Sequence, residues 1–183
     1  MRVSTSREES LVELVTPDGV AAGTSTVADA HTAPGSLHRA FSVLLFDGAG
    51  RTLLQQRAAA KTRFPLRWAN ACCGHPAPGE AVTVAAARRL QEELGIAGVE
   101  LTEVGVYSYQ ATDPATGRVE KEYDHVVVGQ VPADVALAPD PAEVGQVRWE
   151  AAGMLSAEGE TYAPWLHGVL RVALSVVTQP DQP

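Results

Sequence analysis

The sequence predicts a compact α+β or α/β/α domain, with one long helix among several strands and a second helix near the end. Two amphipathic helical segments, Glu80 to Leu94 and Pro164 to Val177, and the strand-like stretches around the first of them predict this class. The 183 residues are 45% hydrophobic and 20% charged, which fits one domain over 1–183 and excludes a disordered or fibrous chain. Residues 1–9 and 179–183 are expected to be frayed ends.

The first half of the chain predicts mainly strands. Leu11 to Val15 is a predicted short strand that leads into a turn at Thr16 to Gly19. Residues 23–37 are rich in Thr, Ser, Ala, Pro and Gly and are predicted to be irregular. Phe41 to Phe46 and Thr52 to Gln56 are separated by a glycine-rich turn, and together they predict a hairpin.

The segment from Glu80 to Leu94 gives the clearest helix signal. A Pro-Gly pair precedes it and Gly95 follows it, as helix start and stop signals do. Apolar residues recur at every fourth position and predict its buried face: Val82, Ala86, Leu90 and Leu94.

Three further strands are predicted after this helix, at Leu101 to Ala111, Arg118 to Val131 and Val144 to Glu150. The amphipathic segment from Pro164 to Val177 begins with a proline, which suits the first turn of a helix.

Charge and composition limit the classes of partner. The 14 basic and 22 acidic residues give a net charge of −8, which argues against a general nucleic-acid or anionic-membrane binder. No apolar run approaches the roughly 18 residues that span a bilayer, and the first residues are polar rather than a secretory signal. We therefore expect a cytoplasmic protein, and the composition is compatible with a monomer.

Two local features leave room for chemistry. The segment from Arg51 to Arg67 carries five cations and no acidic residue, which indicates either an anion site or a solvated loop. Cys72 and Cys73 are adjacent and cannot easily reach relaxed disulfide geometry, so reduced thiols are expected.

Histidines and carboxylates could form a metal site. In an extended segment, two residues that are two positions apart have their side chains on the same face. Cys73 with His75 and Glu120 with Glu122 are two such pairs. Each pair alone is also typical of a turn or an exposed strand. Three histidines and two carboxylates make a nitrogen and oxygen ligand set that suits Mn, Mg, Zn or Fe: His31, His38, His75, Glu120 and Glu122.

The long helix carries a more specific pattern, formed by Gly74, Glu80, Arg88, Leu90, Glu92, Glu93, Gly95 and Ile96. This pattern resembles the Nudix box of a family that acts on diphosphates. The resemblance implies an α/β/α sandwich with a mixed sheet, in which the box is a loop–helix–loop whose carboxylates bind Mg²⁺. The competing interpretation is a surface helix with Arg88–Glu92 and Arg89–Glu93 ion pairs.

One position departs from the pattern of the Nudix hydrolases. They place a metal-binding glutamate where this chain has Arg89, and a cation cannot ligate Mg²⁺. The departure argues against hydrolysis of a nucleoside diphosphate derivative, which remains the alternative function. It leaves Arg89 with a structural role, such as a salt bridge to Glu93.

Residues Asn70-Ala-Cys-Cys-Gly-His-Pro76 resemble the cysteine motif of the type I isopentenyl-diphosphate delta-isomerases, a non-hydrolysing Nudix branch. The resemblance covers roughly residues 10 to 170. Four other stretches match that family in order: His31-Thr-Ala with Leu37-His38, Tyr109-Gln-Ala-Thr-Asp-Pro114, Glu120-Lys-Glu122 and Pro164-Trp165.

The resemblance implies an enzyme that interconverts isopentenyl and dimethylallyl diphosphate for isoprenoid biosynthesis. It makes Cys73 and Glu122 the acid/base pair, with Tyr109 able to hydrogen-bond Glu122. It implies a tightly bound Mn²⁺, Mg²⁺ or Zn²⁺ on His31, His38, His75, Glu120 and Glu122, and a substrate-linked Mg²⁺ on Glu93. Arg57 and Lys61 would bind the diphosphate, and Tyr109 and Trp165 would line the alkenyl pocket.

Two departures and one further alternative accompany this resemblance. The family often has a diphosphate-binding lysine shortly before the first metal histidine, and residues 24–30 contain none. Phe64 stands before the proline of the basic loop, which is a mild change. A catalytically silent domain that binds diphosphate or metal is a third hypothesis beside the isomerase and the hydrolase.

Overall fold

Nine strands form one mixed sheet within residues 7–155 and 161–177, the part of the chain that the computed structural model describes. The strands are β1 Leu11–Val15, β2 Ala21–Thr26, β3 His38–Phe46, β4 Arg51–Arg57, β5 Trp68–Ala69, β6 Cys72–Gly74, β7 Leu101–Thr112, β8 Val119–Gln130 and β9 Val144–Ala151. The helices are α1 Val27–Ala30, α2 Val82–Leu94 and α3 Leu166–Val177, with short 3-10 helices at Arg7–Glu9 and Ala152–Met154.

Strand β3 lies at the centre of the sheet. It runs parallel to β8 along its whole length and antiparallel to β6 and β1. Strand β7 pairs with the far side of β8, and β9 pairs with β4, both in antiparallel register. Because β6 and β8 flank β3, the histidine, cysteine and glutamate motifs of three distant segments meet at one place.

The sheet separates two apolar cores. Alternate side chains of a strand point to opposite faces, and in β3 Val43 and Leu45 pack toward α2 while Leu44 and Phe46 pack toward α3. The predicted buried face of the long helix is confirmed, since all four of its fourth-position residues are buried. The fold is therefore of the α/β class, with a mixed sheet between helices.

Three predictions about local structure are wrong in part. Residues 23–37 are not wholly irregular, because β2 extends to Thr26 and α1 follows it. The strands of the predicted hairpin exist, but they pair only at Phe46 and Thr52, because β4 turns away to pair with β9. The two long helices begin two residues later than predicted, at Val82 and Leu166.

The N-terminal prediction is also wrong in part. Arg7–Glu9 form a 3-10 helix, and the Arg7 guanidinium makes an ion pair with Glu143. Residues 1–6 and 179–183, the rest of the predicted frayed ends, lie outside the described residues. In the described ranges, none of the helices combines the length and apolar character that crossing a bilayer requires.

Candidate active site

The register of the sheet brings the motif residues together. His38 lies beside Glu122 across the parallel β3–β8 pairing, and Tyr109 lies beside Glu122 on the other side of β8. Ser42, four residues along β3 from His38, lies beside Cys73 of β6. Residues that are up to 84 positions apart in the chain therefore share one end of the sheet.

Three imidazoles and one carboxylate form a compact cluster at this end. The ring centroids of His31, His38 and His75 lie 4.6–5.2 Å apart. Their Nε2 atoms lie 3.9, 3.7 and 3.1 Å, in that order, from Oε1 of Glu122. One ligand atom from each of the four residues lies within 4.8 Å of the others, so the cluster could bind a metal ion.

The hydrogen bonds of the histidines show that the cluster fits a divalent metal. Nδ1 of His31 lies 2.7 Å from the carbonyl oxygen of Val27, and Nδ1 of His38 lies 2.7 Å from that of Ser36. A carbonyl only accepts, so both Nδ1 atoms donate, which leaves Nε2 as the atom of each ring that can bind a metal. Nε2 of His38 is buried without a hydrogen-bond partner, which is the position of a ligand atom.

Glu120 adjoins this cluster without being one of its four members. Its Oε2 lies 2.8 Å from Nε2 of His31, and its Oε1 accepts a hydrogen bond from Nε of Arg63 at 3.1 Å. Burial alone would lower the pKa of His31, but Glu120 and Glu122 raise this pKa to about 9. The same two carboxylates that favour a proton on His31 would favour a metal cation in its place.

Glu122 is held as a carboxylate. Tyr109 donates its hydroxyl to Oε2 of Glu122 at 2.7 Å, which confirms the predicted hydrogen bond. Burial opposes the charge, yet the surrounding histidines hold the pKa of Glu122 well below its usual range. Burial and the Glu122 charge raise the pKa of Tyr109, and burial lowers the pKa of His75 to about 3.

Cys73 is a neutral thiol in a polar recess. Its Sγ lies 3.3 Å from Oδ1 of Asn70 and 3.5 Å from Oγ of Ser42, whose hydroxyl donates to Asp124 at 2.7 Å. Burial, together with the nearby Asp124, raises the pKa of Cys73 to about 12. Cys72 points to the other face of the sheet, where it belongs to the apolar core beneath α2.

A cavity of about 830 Å³ opens over this end of the sheet. Most of the predicted site residues line it: Arg57, Lys61, Cys73, His75, Tyr109, Glu120, Glu122 and Trp165. His31 and His38 lie behind this wall and are fully buried. Glu93 does not line it either.

An aromatic wall borders the cavity beside the thiol. The Trp165 ring centroid lies 5.9 Å from that of Tyr109 and 5.7 Å from that of Phe64. Nε1 of Trp165 donates to Oδ1 of Asn70 at 3.1 Å. The Arg57 guanidinium carbon lies 5.4 Å from the indole centroid, a distance at which a cation is attracted to an aromatic face.

The predicted diphosphate-binding cations are held by protein acceptors. Arg57 donates to the carbonyl oxygens of Arg63 at 2.8 Å and Phe64 at 3.1 Å. Lys61 makes an ion pair with Glu143, and burial lowers the pKa of Lys61. Both cations are therefore ordered at the cavity wall.

The basic loop between β4 and β5 has a left-handed backbone at Phe64, where φ is 46°. Asp113 holds this position, because its Oδ2 accepts the backbone N–H of Phe64 at 3.0 Å. Asp113 belongs to one of the sequence motifs quoted above, and here its contact fixes the loop that carries Lys61.

Glu93 and Arg89 form the ion pair that the sequence predicts as the structural role of Arg89. The second carboxylate oxygen of Glu93 accepts a hydrogen bond from Gln55 at 2.9 Å. Arg89 also reaches Glu92 at 2.6 Å and Glu143 at 3.5 Å. Arg89 lines the cavity, and Glu93 lies behind it.

The sequence alone assigns no role to four residues of this region: Ser42, Asn70, Asp124 and Glu143. Ser42 and Asp124 contact the thiol side of the site, and both are buried. Asn70 belongs to the cysteine motif, but the sequence gives it no separate role. Glu143, which makes ion pairs with Lys61, Arg7 and Arg89, is not predicted at all. Ser42 is a single polar residue in an apolar stretch, and Asp124 lies in a mostly polar one, so neither stands out by its spacing. The motif around Asn70 is the available signal for the third residue.

Comparison with known proteins identifies the class. A NUDIX domain family model matches residues 36–168. Solved structures with this fold include DR0079 from Deinococcus radiodurans, with a TM-score of 0.71 at 18% identity over 88% of this chain and 97% of that one. A MutT protein from Methanosarcina mazei gives a TM-score of 0.63 at 19% identity over 78% and 96%. The fold is thus that of a NUDIX protein, and the matched residues include α2, the helix that carries the box pattern.

Curated relatives narrow the class further. A Nocardia farcinica protein is 62% identical over 88% of this chain and 93% of its own length, and a Streptomyces coelicolor protein is 47% identical over 94% and 87%. Both are named isopentenyl-diphosphate Delta-isomerase. The chain belongs to this isopentenyl-diphosphate Delta-isomerase family within the NUDIX proteins.

Proposed function

We propose that this protein interconverts isopentenyl diphosphate and dimethylallyl diphosphate, in isoprenoid biosynthesis, by adding and removing protons on opposite faces of the alkene. The observation that carries the proposal is the cavity shared by the Cys73 thiol, the Glu122 carboxylate and the Trp165 indole. The names of the Nocardia and Streptomyces relatives support the same substrate.

The protonation states of the pair support acid/base chemistry. Moving the double bond requires a proton at one carbon and the loss of a proton two bonds away, so one group must start protonated and the other ionised. The raised pKa of Cys73 and the lowered pKa of Glu122 meet this requirement. Each group donates in one direction of the reversible reaction and accepts in the other.

The metal belongs to the proposal as a group that tunes Glu122. A divalent metal bound by His31, His38, His75, Glu120 and Glu122, with Mn²⁺, Mg²⁺ and Zn²⁺ as candidates, would supply a fixed positive charge beside the carboxylate. Tyr109, which lines the cavity with Glu122, holds the second Glu122 oxygen through its hydrogen bond.

The cavity walls suit both ends of the substrate. We assign the diphosphate to Arg57 and Lys61, with a Mg²⁺ held by Glu93, for which the Arg89–Glu93 ion pair would have to open. We assign the five-carbon end to Tyr109 and Trp165. A desolvated indole face stabilises a carbocation by about 2 kcal/mol or more, and unlike a carboxylate it cannot capture it.

The proposal also comprises a monomeric cytoplasmic enzyme without nucleic-acid or membrane partners. Two free adjacent cysteines and a net charge of −8 support it. Light scattering of the purified protein is expected to give the mass of one chain, and a stable dimer would contradict this part.

Incubation of the purified protein with isopentenyl diphosphate and Mg²⁺ tests the function. Proton NMR is expected to show dimethylallyl diphosphate with no phosphate released. Release of phosphate, or turnover of nucleoside diphosphate derivatives, would support the NUDIX hydrolase alternative. Absence of turnover would favour a silent binding domain.

A further inference from the structure

We propose that Asn70 is a positioning residue that holds the Cys73 thiol and the Trp165 indole in fixed positions relative to each other, so that both meet the same five-carbon group. This inference rests on the proposed function, since it explains how two groups of the isomerase site are aligned. Asn70 is fully buried, between β5 and β6, and it does not line the cavity.

The amide of Asn70 is completely satisfied. Its Nδ2 donates to the carbonyl oxygens of Val43 at 3.1 Å and Cys72 at 2.8 Å. Its Oδ1 accepts from the thiol of Cys73 at 3.3 Å and from Nε1 of Trp165 at 3.1 Å. An amide offers two donor hydrogens and two acceptor lone pairs, so these four contacts use all of its capacity.

The chemistry of the partners fixes which way the amide points. Two backbone carbonyls can only accept, so the amino group must face Val43 and Cys72. The indole N–H of Trp165 can only donate, so the carbonyl oxygen must face it. Rotating the amide by 180° would set donors against donors and acceptors against acceptors. Asn70 is thus locked by the backbone of the sheet.

The fixed position of the Asn70 oxygen determines the positions of two groups of the site. One oxygen atom contacts the thiol on β6 and the indole just before α3, which are 92 residues apart in the chain. Because the oxygen is fixed to β3 and β6 through the amino group, it holds the position of the Cys73 Sγ atom and the rotation of the indole plane together. Misplacement of a reacting group by about 1 Å can cost on the order of 100-fold in rate.

Replacement of Asn70 by alanine tests this role through a split between kcat and KM. The Asn70→Ala variant is expected to lose on the order of 100-fold in kcat. Its KM for isopentenyl diphosphate should stay within threefold, because Arg57 and Lys61 do not contact Asn70. A folded variant that keeps kcat within threefold of wild type, or changes only in KM, would overturn the proposal.

The indole resonances report the hydrogen bond directly. In protein labelled with ¹⁵N-tryptophan, Asn70→Ala is expected to move the Trp165 N–H signal upfield and to leave those of Trp68 and Trp149 in place. An unchanged Trp165 resonance in the folded variant would overturn the proposal, because it would show that the Trp165–Asn70 hydrogen bond does not exist in solution.

A second replacement keeps the proposal testable if Asn70→Ala does not fold. Replacement of Trp165 by 3-benzothienylalanine keeps the aromatic face and removes only the N–H donor, and about tenfold loss of kcat with unchanged KM is expected. The same replacement at Trp149, which lies on β9, is the matched control and should leave kcat within twofold. Equal kcat values for the two replacements would overturn the proposal.

Wild-type turnover separates this inference from the function on which it rests. Wild-type protein that fails to isomerise isopentenyl diphosphate would overturn the proposed function itself. Active wild-type protein with undisturbed variants would overturn only the role of Asn70.

Discussion

The two faces of the central sheet differ sharply at the adjacent residues Cys72 and Cys73. The Cys72 side chain packs among aliphatic residues such as Val43 and Leu90 beneath α2. One position along the same strand, Cys73 contacts Ser42 and Asn70 and opens into the cavity. The alternation of a strand thus separates a face that supplies stability from a face that supplies chemistry.

The two faces also differ in how many polar groups they bury. In the core beneath α2, burial of apolar side chains is the main favourable contribution, roughly 25 cal/mol per Å² of apolar surface removed from water. On the other face, His31, His38 and Asp124 are fully buried at a cost in solvation. That cost is consistent with a face shaped for reaction rather than for stability alone.

Removal of either proton-handling group is expected to have the largest effect on activity. Cys73→Ala and Glu122→Gln should each lower kcat by at least roughly 10³-fold, because general acid–base groups contribute about 10²–10⁴ each and the pair acts as a unit. Turnover of isopentenyl diphosphate followed by NMR measures the loss, with circular dichroism as the check that the fold survives. Near-native rates in either variant would refute the assignment.

Removal of the metal is expected to have the second-largest effect on activity, and it acts on the same face of the sheet. Dialysis against a chelator should abolish most activity and lower the melting temperature, because Nε2 of His38 has no other partner. A metal held at 100 times its Kd stabilises by about 2.7 kcal/mol. Elemental analysis should find one tightly held divalent ion per chain, and readdition should restore both properties. Protein that loses no metal, stability or activity on chelation would contradict the account.

Cys72→Ser should affect the other face. The hydroxyl would enter an apolar core, so a loss of about 1–3 kcal/mol in the free energy of unfolding is expected, measured by urea denaturation. The kcat of the folded enzyme should change by less than threefold, since this side chain points away from the cavity. Complete loss of turnover would show that Cys72, and not Cys73, is the reacting thiol.

The pH dependence of Cys73 alkylation gives a smaller but direct comparison. Because burial raises the pKa of Cys73 to about 12, the rate with iodoacetamide in a Cys72→Ala background should rise about tenfold per pH unit from pH 8 to 10. The unfolded chain releases this proton near pH 8.5, so Cys73 lowers the free energy of unfolding progressively between that pH and about 12. A rate that levels off by pH 10, as expected for a thiol with the ordinary pKa near 8.5, would contradict the raised pKa.

The sequence was most informative where periodicity or spacing carries the signal. Apolar residues at every fourth position predicted α2, and the i, i+2 pair Glu120 and Glu122 was correctly placed on one face of a strand. The sequence does not predict strand β2, because Ala21–Thr26 has no apolar alternation; it is an edge strand held by backbone pairing with β1. The ordered Arg7–Glu9 segment was missed because its ion pairs join residues distant in the chain.

The motifs predict which residues form the site. They do not predict the contacts that hold these residues in place. Asn70, Ser42 and Asp124 act through neighbours that only the register of β3, β6 and β8 brings close. Such register is a property of the whole sheet and leaves no trace in local composition. The position of Glu93 behind Arg89 depends likewise on helix packing, which the Nudix-like spacing does not specify.

Reaction in D₂O addresses the acid/base claim most directly. At low conversion, wild-type protein, Mg²⁺ and isopentenyl diphosphate in D₂O should yield dimethylallyl diphosphate with one deuterium in a methyl group and the diphosphate intact, because the added proton comes from a group that exchanges with solvent. Product that carries no solvent deuterium, or cleavage of the diphosphate, would contradict the account.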